Sequence, residues 1–127
     1  MVILTAVVAL LAAALHGLIF YMESVDWEGP LARKTFGGTA DEARPHAFYA
    51  FQQGFYNLFL GLQAAAGAVA LLAGMATVGA TLIAAGCGAM LGAAVVLFCS
   101  SATHRVAACK QGFLPLLALV LLGATLL

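Results

Sequence analysis

Charge is the scarcest thing in this sequence. Five Lys or Arg and five Asp or Glu make up 8% of its 127 residues, whereas soluble domains carry roughly a quarter. With 65% hydrophobic residues beside that deficit, the chain does not fit a water-soluble fold. Basic stretches interleaved with aromatics are missing and the formal net charge is zero, which removes nucleic acid as a partner. The three cysteines are an odd number without a C-x-x-C spacing, and Cys87 and Cys99 lie in apolar stretches; all three read as reduced and structural. No Lys or Arg precedes the first apolar run, as a secretory leader would require, so the first helix is expected to be retained. There is no Ser-His-Asp arrangement, no phosphate-cradling glycine loop and no C-x-x-C-H haem attachment.

What the chain does have is long apolar runs. A helix needs roughly 20 largely apolar residues to cross the hydrocarbon layer, and four such spans are expected, at about 2–22, 46–73, 80–100 and 110–127. The fold class is therefore all-α, a single membrane domain built as a four-helix transmembrane bundle. Residues 23–45 form the one sizeable loop, holding all five acidic residues and three of the five basic ones, with Gly29-Pro30 and Gly37-Gly38 as turn signals. Thr39 and Glu42 have capping-box spacing, but Pro45 disfavours helix at Arg44, so the second helix has two possible starting points. In the third span Ala80, Ala84, Gly88 and Gly92 recur every four residues, a ridge for close helix packing and a possible homo-oligomer contact. The last span is expected to start near Cys109 or Gln111, with Pro115 in its first turns, and is barely long enough to cross.

Four spans put both charged loops on one side and both termini on the other. All five Lys and Arg then share a side, which the positive-inside rule makes cytoplasmic, with the termini extracytoplasmic and the chain integral to the inner or plasma membrane. Such a one-sided count also argues against antiparallel pairing.

Polar residues inside spans are costly and want an explanation. His16, Glu23 and Trp27 fall on one face of the first helix if it stays helical that far, because seven and eleven residues are close to whole turns. His46, Gln53 and Asn57 form a stripe on the second helix, with Gln52 and Tyr56 beside it. Gln111 joins them from the last helix, and all lie in the cytoplasmic half. If the stripes face each other, a polar cup results. Trp27 and Tyr49 also suit interfacial anchoring, and His104 in its short loop reads as solvated. The histidines and Glu23 have no i, i+3 or i, i+4 pairing, so no metal is assigned, and the sequence names no cofactor.

The order His16, Glu23, Trp27, Phe36, then Gln53-Gly54-Phe55-Tyr56-Asn57-Leu58-Phe59-Leu60, then Gln111-Gly112 and Pro115, resembles the small four-helix membrane proteins grouped as domain of unknown function 1304 (DUF1304). The resemblance covers almost the whole chain. It departs at Gln53, where the family usually has Asn, and at Phe113-Leu114, which moves Pro115 further from the Gln-Gly pair. The resemblance implies a prokaryotic-type inner membrane protein with four spans, and no assigned activity.

Three functions are compatible with these residues. The first is a pocket for a lipophilic small molecule, such as a membrane-embedded enzyme would carry, with His16 and Glu23 in acid–base roles and Gln53, Tyr56 and Asn57 holding the polar end. The second is a small oligomeric proton-coupled transporter or exporter. The third is a structural or accessory protein whose polar cluster is only a hydrogen-bond network.

Overall fold

A computed structural model describes residues 1–126. The described residues form six α-helices: α1 (Val2–Phe20), α2 (Pro30–Phe36), α3 (Ala40–Ala43), α4 (Ala47–Leu72), α5 (Ala76–Ser100) and α6 (Arg105–Leu126). A 3-10 turn over Arg44–His46 joins α3 to α4 without a break, and a second over Ala102–His104 leads into α6. Four of the resulting segments are long and apolar enough to cross a membrane: Val2–Val25, Ala40–Leu72, Ala76–Ser100 and Ala102–Leu126.

The long helices form a ring in chain order. α1 packs on α4 and α6, α5 packs on α4 and α6, and the diagonal pair α1 and α5 barely touch. Short connections make each neighbour antiparallel. All ten charged side chains therefore gather at one end of the bundle, the loop end, and both termini lie at the other.

Small residues let these helices approach. Ala6, Ala9, Ala12, Ala64, Ala68 and Ala118 are fully buried, and contact between backbones replaces the hydrophobic effect that lipid-soaked helices lack. A Cβ at Gly67 would lie 2.8 Å from the Ile83 amide nitrogen, and one at Gly79 would lie 2.6 Å from that of Leu71. Outward, Ile3, Leu62, Val69, Val96, Phe113 and Val120 are all more than half exposed, a surface that calls for lipid rather than water. At the termini end the Thr5 and Thr125 hydroxyls meet at 2.8 Å, tying α1 to α6.

The ridge expected on α5 is not the surface that packs within the chain. α5 turns Gly79, Ile83, Gly86, Cys87, Met90 and Ala94 inward, leaves Ala84 and Gly92 exposed, and has open space around Gly88 and Gly92. The helix is apolar on every side and carries small residues at adjacent phases, so composition does not fix its rotation. The last helix also starts earlier than expected, at Arg105. Pro115 thus sits in its interior and denies the Gln111 carbonyl its ordinary helical donor; the residue is buried against neighbouring helices, a setting that tolerates such breaks in membranes.

Most of the segment between the first two spans is ordered helix rather than open loop. α1 first widens into a π-helical turn over Tyr21–Val25, closed by the Asp26 amide donating to the Tyr21 carbonyl at 3.0 Å. Gly29 and Pro30 start α2, with proline at the position where its missing amide costs nothing. Gly37 and Gly38, at φ of 86° and 73°, end it in a conformation other residues avoid. The buried face of α2 puts Ala32 against Ile19 and Met22, with Phe36 packed alongside, so the segment folds back over the end of α1. The capping box then forms: the Glu42 amide donates to Thr39 Oγ1 at 3.3 Å and the Thr39 amide to Glu42 Oε2 at 2.8 Å. From there the chain is helical through Pro45. The combined 33-residue segment Ala40–Leu72 is about 50 Å long at 1.5 Å per residue, well beyond a hydrocarbon layer of about 30 Å. Its first turns project and give the loop something to dock on.

Candidate functional site at the loop end

A cleft of about 570 Å³ opens at the loop end between the π turn, α2, the start of α4, the end of α5 and the start of α6. At its base the Glu23 carboxylate meets Asn57, whose Nδ2 donates to Glu23 Oε2 at 2.8 Å and to the Gln53 carbonyl at 3.1 Å. Asn57 is 6% exposed, so its amide is held in one orientation. Among the described residues Glu23 Oε1 accepts no hydrogen bond, and the only ion pairs are those of Arg44 with Glu28 and Asp41. Glu23 is therefore a carboxylate in a membrane-spanning segment without a cationic partner, an expensive arrangement.

Two glycines make this contact possible. A Cβ at Gly54 would collide with Ser24 Oγ and lie 3.0 Å from the Ser24 amide nitrogen and from Glu23 Cβ. That close approach also lets the Ser24 hydroxyl donate to the Phe51 carbonyl at 2.8 Å. Two turns further along α4, a Cβ at Gly61 would lie 3.1 Å from the Ala13 carbonyl.

The wall of the cleft is closed by the folded-back segment. Trp27 donates its indole N–H to the Ala43 carbonyl at 2.8 Å and stacks near Phe36, with ring centroids 5.6 Å apart. Arg33 lies over the Trp27 ring, its guanidinium carbon 4.3 Å from the centroid, a cation–π geometry. It donates from Nε to the Trp27 carbonyl at 3.0 Å and from one terminal nitrogen to the Gly37 carbonyl at 2.7 Å. Its other terminal nitrogen is buried with no partner among the described residues. The cleft thus holds an unpaired acceptor at its base, with Arg33 among its lining residues.

Of the residues singled out from sequence, Glu23, Trp27, His46, Gln53, Asn57 and Gln111 line this cleft. Gln52 and Tyr56 do not; both are exposed on α4, a step around the helix from the 46–53–57 stripe. His16 is not brought into the cleft either. It faces α4 beside Gly61 and is fully buried, about 10 Å along the helix axis from Glu23 by the rise of seven residues. Its Nδ1 donates to the Ala12 carbonyl at 2.9 Å, and Nε2 is buried without a partner among the described residues. His16 and Glu23 are thus not brought to one point of the cleft.

Sequence reasoning passed over Arg33, Glu42 and His104, all of which line the cleft. His104 is half-buried, with Nδ1 2.6 Å from Ser101 Oγ. Spacing along one helix does not reveal them, because each comes from the connecting segments. The available signal was the paired turn marks flanking Pro30–Phe36, which delimit a helix short enough to fold over the bundle end. No group of three metal-ligating side chains converges among the described residues.

No curated protein and no solved structure matches the chain. The sequence profile of the family described as "Protein of unknown function (DUF1304)" matches residues 10–123, nearly the whole chain, and with its four membrane-length helices this protein belongs to that family.

Proposed function

We propose that this protein binds a lipophilic small molecule in the loop-end cleft, with the molecule's polar head engaged between Glu23 and Arg33. The observation that carries the reading is the Glu23 carboxylate, fixed by Asn57 yet without a cation or a second donor. A carboxylate held this way is matched by a head that donates hydrogen bonds, and the positive charge of Arg33 in the same lining by one that also carries acceptor atoms. Gln53 and Gln111 are within the same lining and supply adaptable amide contacts. Trp27 and Phe36 offer the apolar surface such pockets need. Binding, rather than acid–base catalysis, is the role assigned, because His16 stands apart from the cleft.

The loop end carries every Lys and Arg, so the positive-inside rule orients it to the cytoplasm and the termini away, in an inner or plasma membrane. The cleft then opens at the inner face. A proton-coupled transporter is the weaker reading: the far half of the bundle is filled by buried Ala64, Ala68, Ile83, Cys87 and Met90 and offers no continuation of the cleft.

Native mass spectrometry of the protein released from mild detergent tests the proposal. Wild-type protein is expected to carry a small-molecule adduct that Glu23→Gln loses, since the amide keeps the shape and removes the charge. Wild-type protein free of any adduct other than phospholipid, or such a non-phospholipid adduct retained undiminished in Glu23→Gln, overturns it.

A further inference from the structure

A second cleft lies on the other side of Phe36 and Gly37, between α1, α2 and α6, with a volume of about 800 Å³. Its chemistry differs from that of the first. Leu15, Leu18, Ile19 and Met22 supply one continuous apolar wall along the last turns of α1, about 10 Å of helix at 1.5 Å per residue. At the loop end this wall meets Lys34 of α2 and Lys110 of α6, the only two lysines in the sequence. None of the five acidic residues lines the cleft. Both lysines are exposed, and neither takes part in an ion pair among the described residues. The two ammonium groups come from elements far apart in sequence, and the folding back of α2 over α1 sets them around one opening.

We infer that this cleft is a binding site for an anionic phospholipid of the surrounding bilayer. One acyl chain would lie along the α1 wall and the phosphate would sit between Lys34 and Lys110. Charge complementarity selects the occupant: a cleft apolar in its depth and doubly cationic at its mouth, with no carboxylate to neutralise it, fits a ligand of the reverse order. Its open side faces lipid rather than the bundle interior, because Leu18 is 45% exposed and Leu31 42%. A zwitterionic phospholipid brings its own cation to the same opening and would be disfavoured.

The experiment is lipid competition on the whole protein in nanodiscs of phosphatidylcholine containing a minor fraction of phosphatidylglycerol, read by native mass spectrometry of retained lipids. Wild-type protein should retain phosphatidylglycerol in excess of its share of the bilayer. Lys34→Gln with Lys110→Gln should cut that excess about tenfold, whereas Arg105→Gln, a loop-end charge outside the cleft, should leave it intact. Leu18→Trp, which fills the groove at a lipid-exposed position, should displace the lipid with both lysines present. Equal retention of the two lipids, or unchanged retention in the double lysine variant, overturns the inference. Displacement of the lipid by millimolar inorganic phosphate also overturns it, by showing that the site reads a free anion. Glu23→Gln is expected to leave phosphatidylglycerol retention unchanged, so failure of this site and failure of the first cleft are read separately.

Discussion

Gly54→Ala is the substitution that most directly tests how the candidate site is built. The added methyl would land on the Ser24 hydroxyl and within 3.0 Å of the Ser24 amide nitrogen. Turning the Ser24 side chain away relieves the first clash but not the second, so α1 must withdraw from α4. Withdrawal sacrifices the Ser24–Phe51 hydrogen bond, about 1 kcal/mol, and weakens the charge-assisted Glu23–Asn57 bond, about 1.5–3 kcal/mol. Alanine returns at most about 1 kcal/mol in helix propensity, leaving a net loss of about 1–3 kcal/mol. Gly88→Ala is the matched control, because nothing lies within 4 Å of the new methyl and the propensity gain stands alone. The two variants should therefore differ by about 2–4 kcal/mol. SDS-driven unfolding in mixed micelles measures this, and Trp27, the sole tryptophan, reports from the edge of the cleft through its fluorescence. In a Ser24→Ala background the Gly54→Ala cost should shrink by about 1 kcal/mol, as part of it has already been lost. If Gly54→Ala unfolds no earlier than Gly88→Ala, then α1 does not approach α4 through this glycine and the derived site geometry is wrong.

Three further outcomes follow from the same contacts. Asn57→Leu should cost about 2–3 kcal/mol by leaving the Glu23 carboxylate without a donor, and adding Glu23→Leu should recover most of it; a coupling below about 1 kcal/mol in that double-mutant cycle would show the bond to be incidental. His16→Leu should stay within about 1.5 kcal/mol of wild type, as a roughly volume-conserving change does, and should retain any adduct bound in the first cleft. His16→Ala should cost about 2–5 kcal/mol through the cavity it leaves, and loss of the adduct in a folded His16→Leu protein would return that histidine to the site. Trp27→Phe removes the indole bond to Ala43 and weakens the stacking with Arg33, about 1–2 kcal/mol of local stability. Amide exchange over residues 30–36 should accelerate about five- to thirty-fold while the core of α4 is unaffected.

The membrane-length helices and the gathering of polar residues at one end were legible because each follows from a quantity written in the chain: run length for the first, helix direction for the second. Rotation and closure were not. The phase of α5 escaped because small residues sit at 79 and 86 as well as at 80, 84 and 88, and only the partner helices choose between them. The π turn escaped because Tyr21–Val25 contains neither glycine nor proline; the turn lies where Ser24 and Glu23 meet Gly54, a contact 30 residues away in sequence. A shared face of α1 says nothing of depth either: His16 and Glu23 lie seven residues, about 10 Å, apart along the helix axis. Arg33 escaped because its position depends on Trp27 and Gly37 rather than on any span.

The distribution of close contacts also bears on what kind of function the bundle can support. In the far half, Gly67, Gly79 and Gly86 bring α4 and α5 to backbone contact, and the core there is filled by buried Ala64, Ala68, Ile83, Cys87 and Met90. Separating those helices would expose backbone to lipid and forfeit packing that nothing else replaces. At the loop end the order is reversed. Gly54 draws α1 onto α4 only at the base of the cleft, and the walls are a single-turn π segment, a short helix and a side-chain stack anchored by three hydrogen bonds from Trp27 and Arg33. Local opening is easiest where buried apolar contacts are fewest, so amide exchange is expected to be faster over residues 26–39 than across the α4–α5 contact. Opening confined to the loop end would fit the proposed binding role better than passage through the bundle, and uniform exchange along all four long helices would count against it.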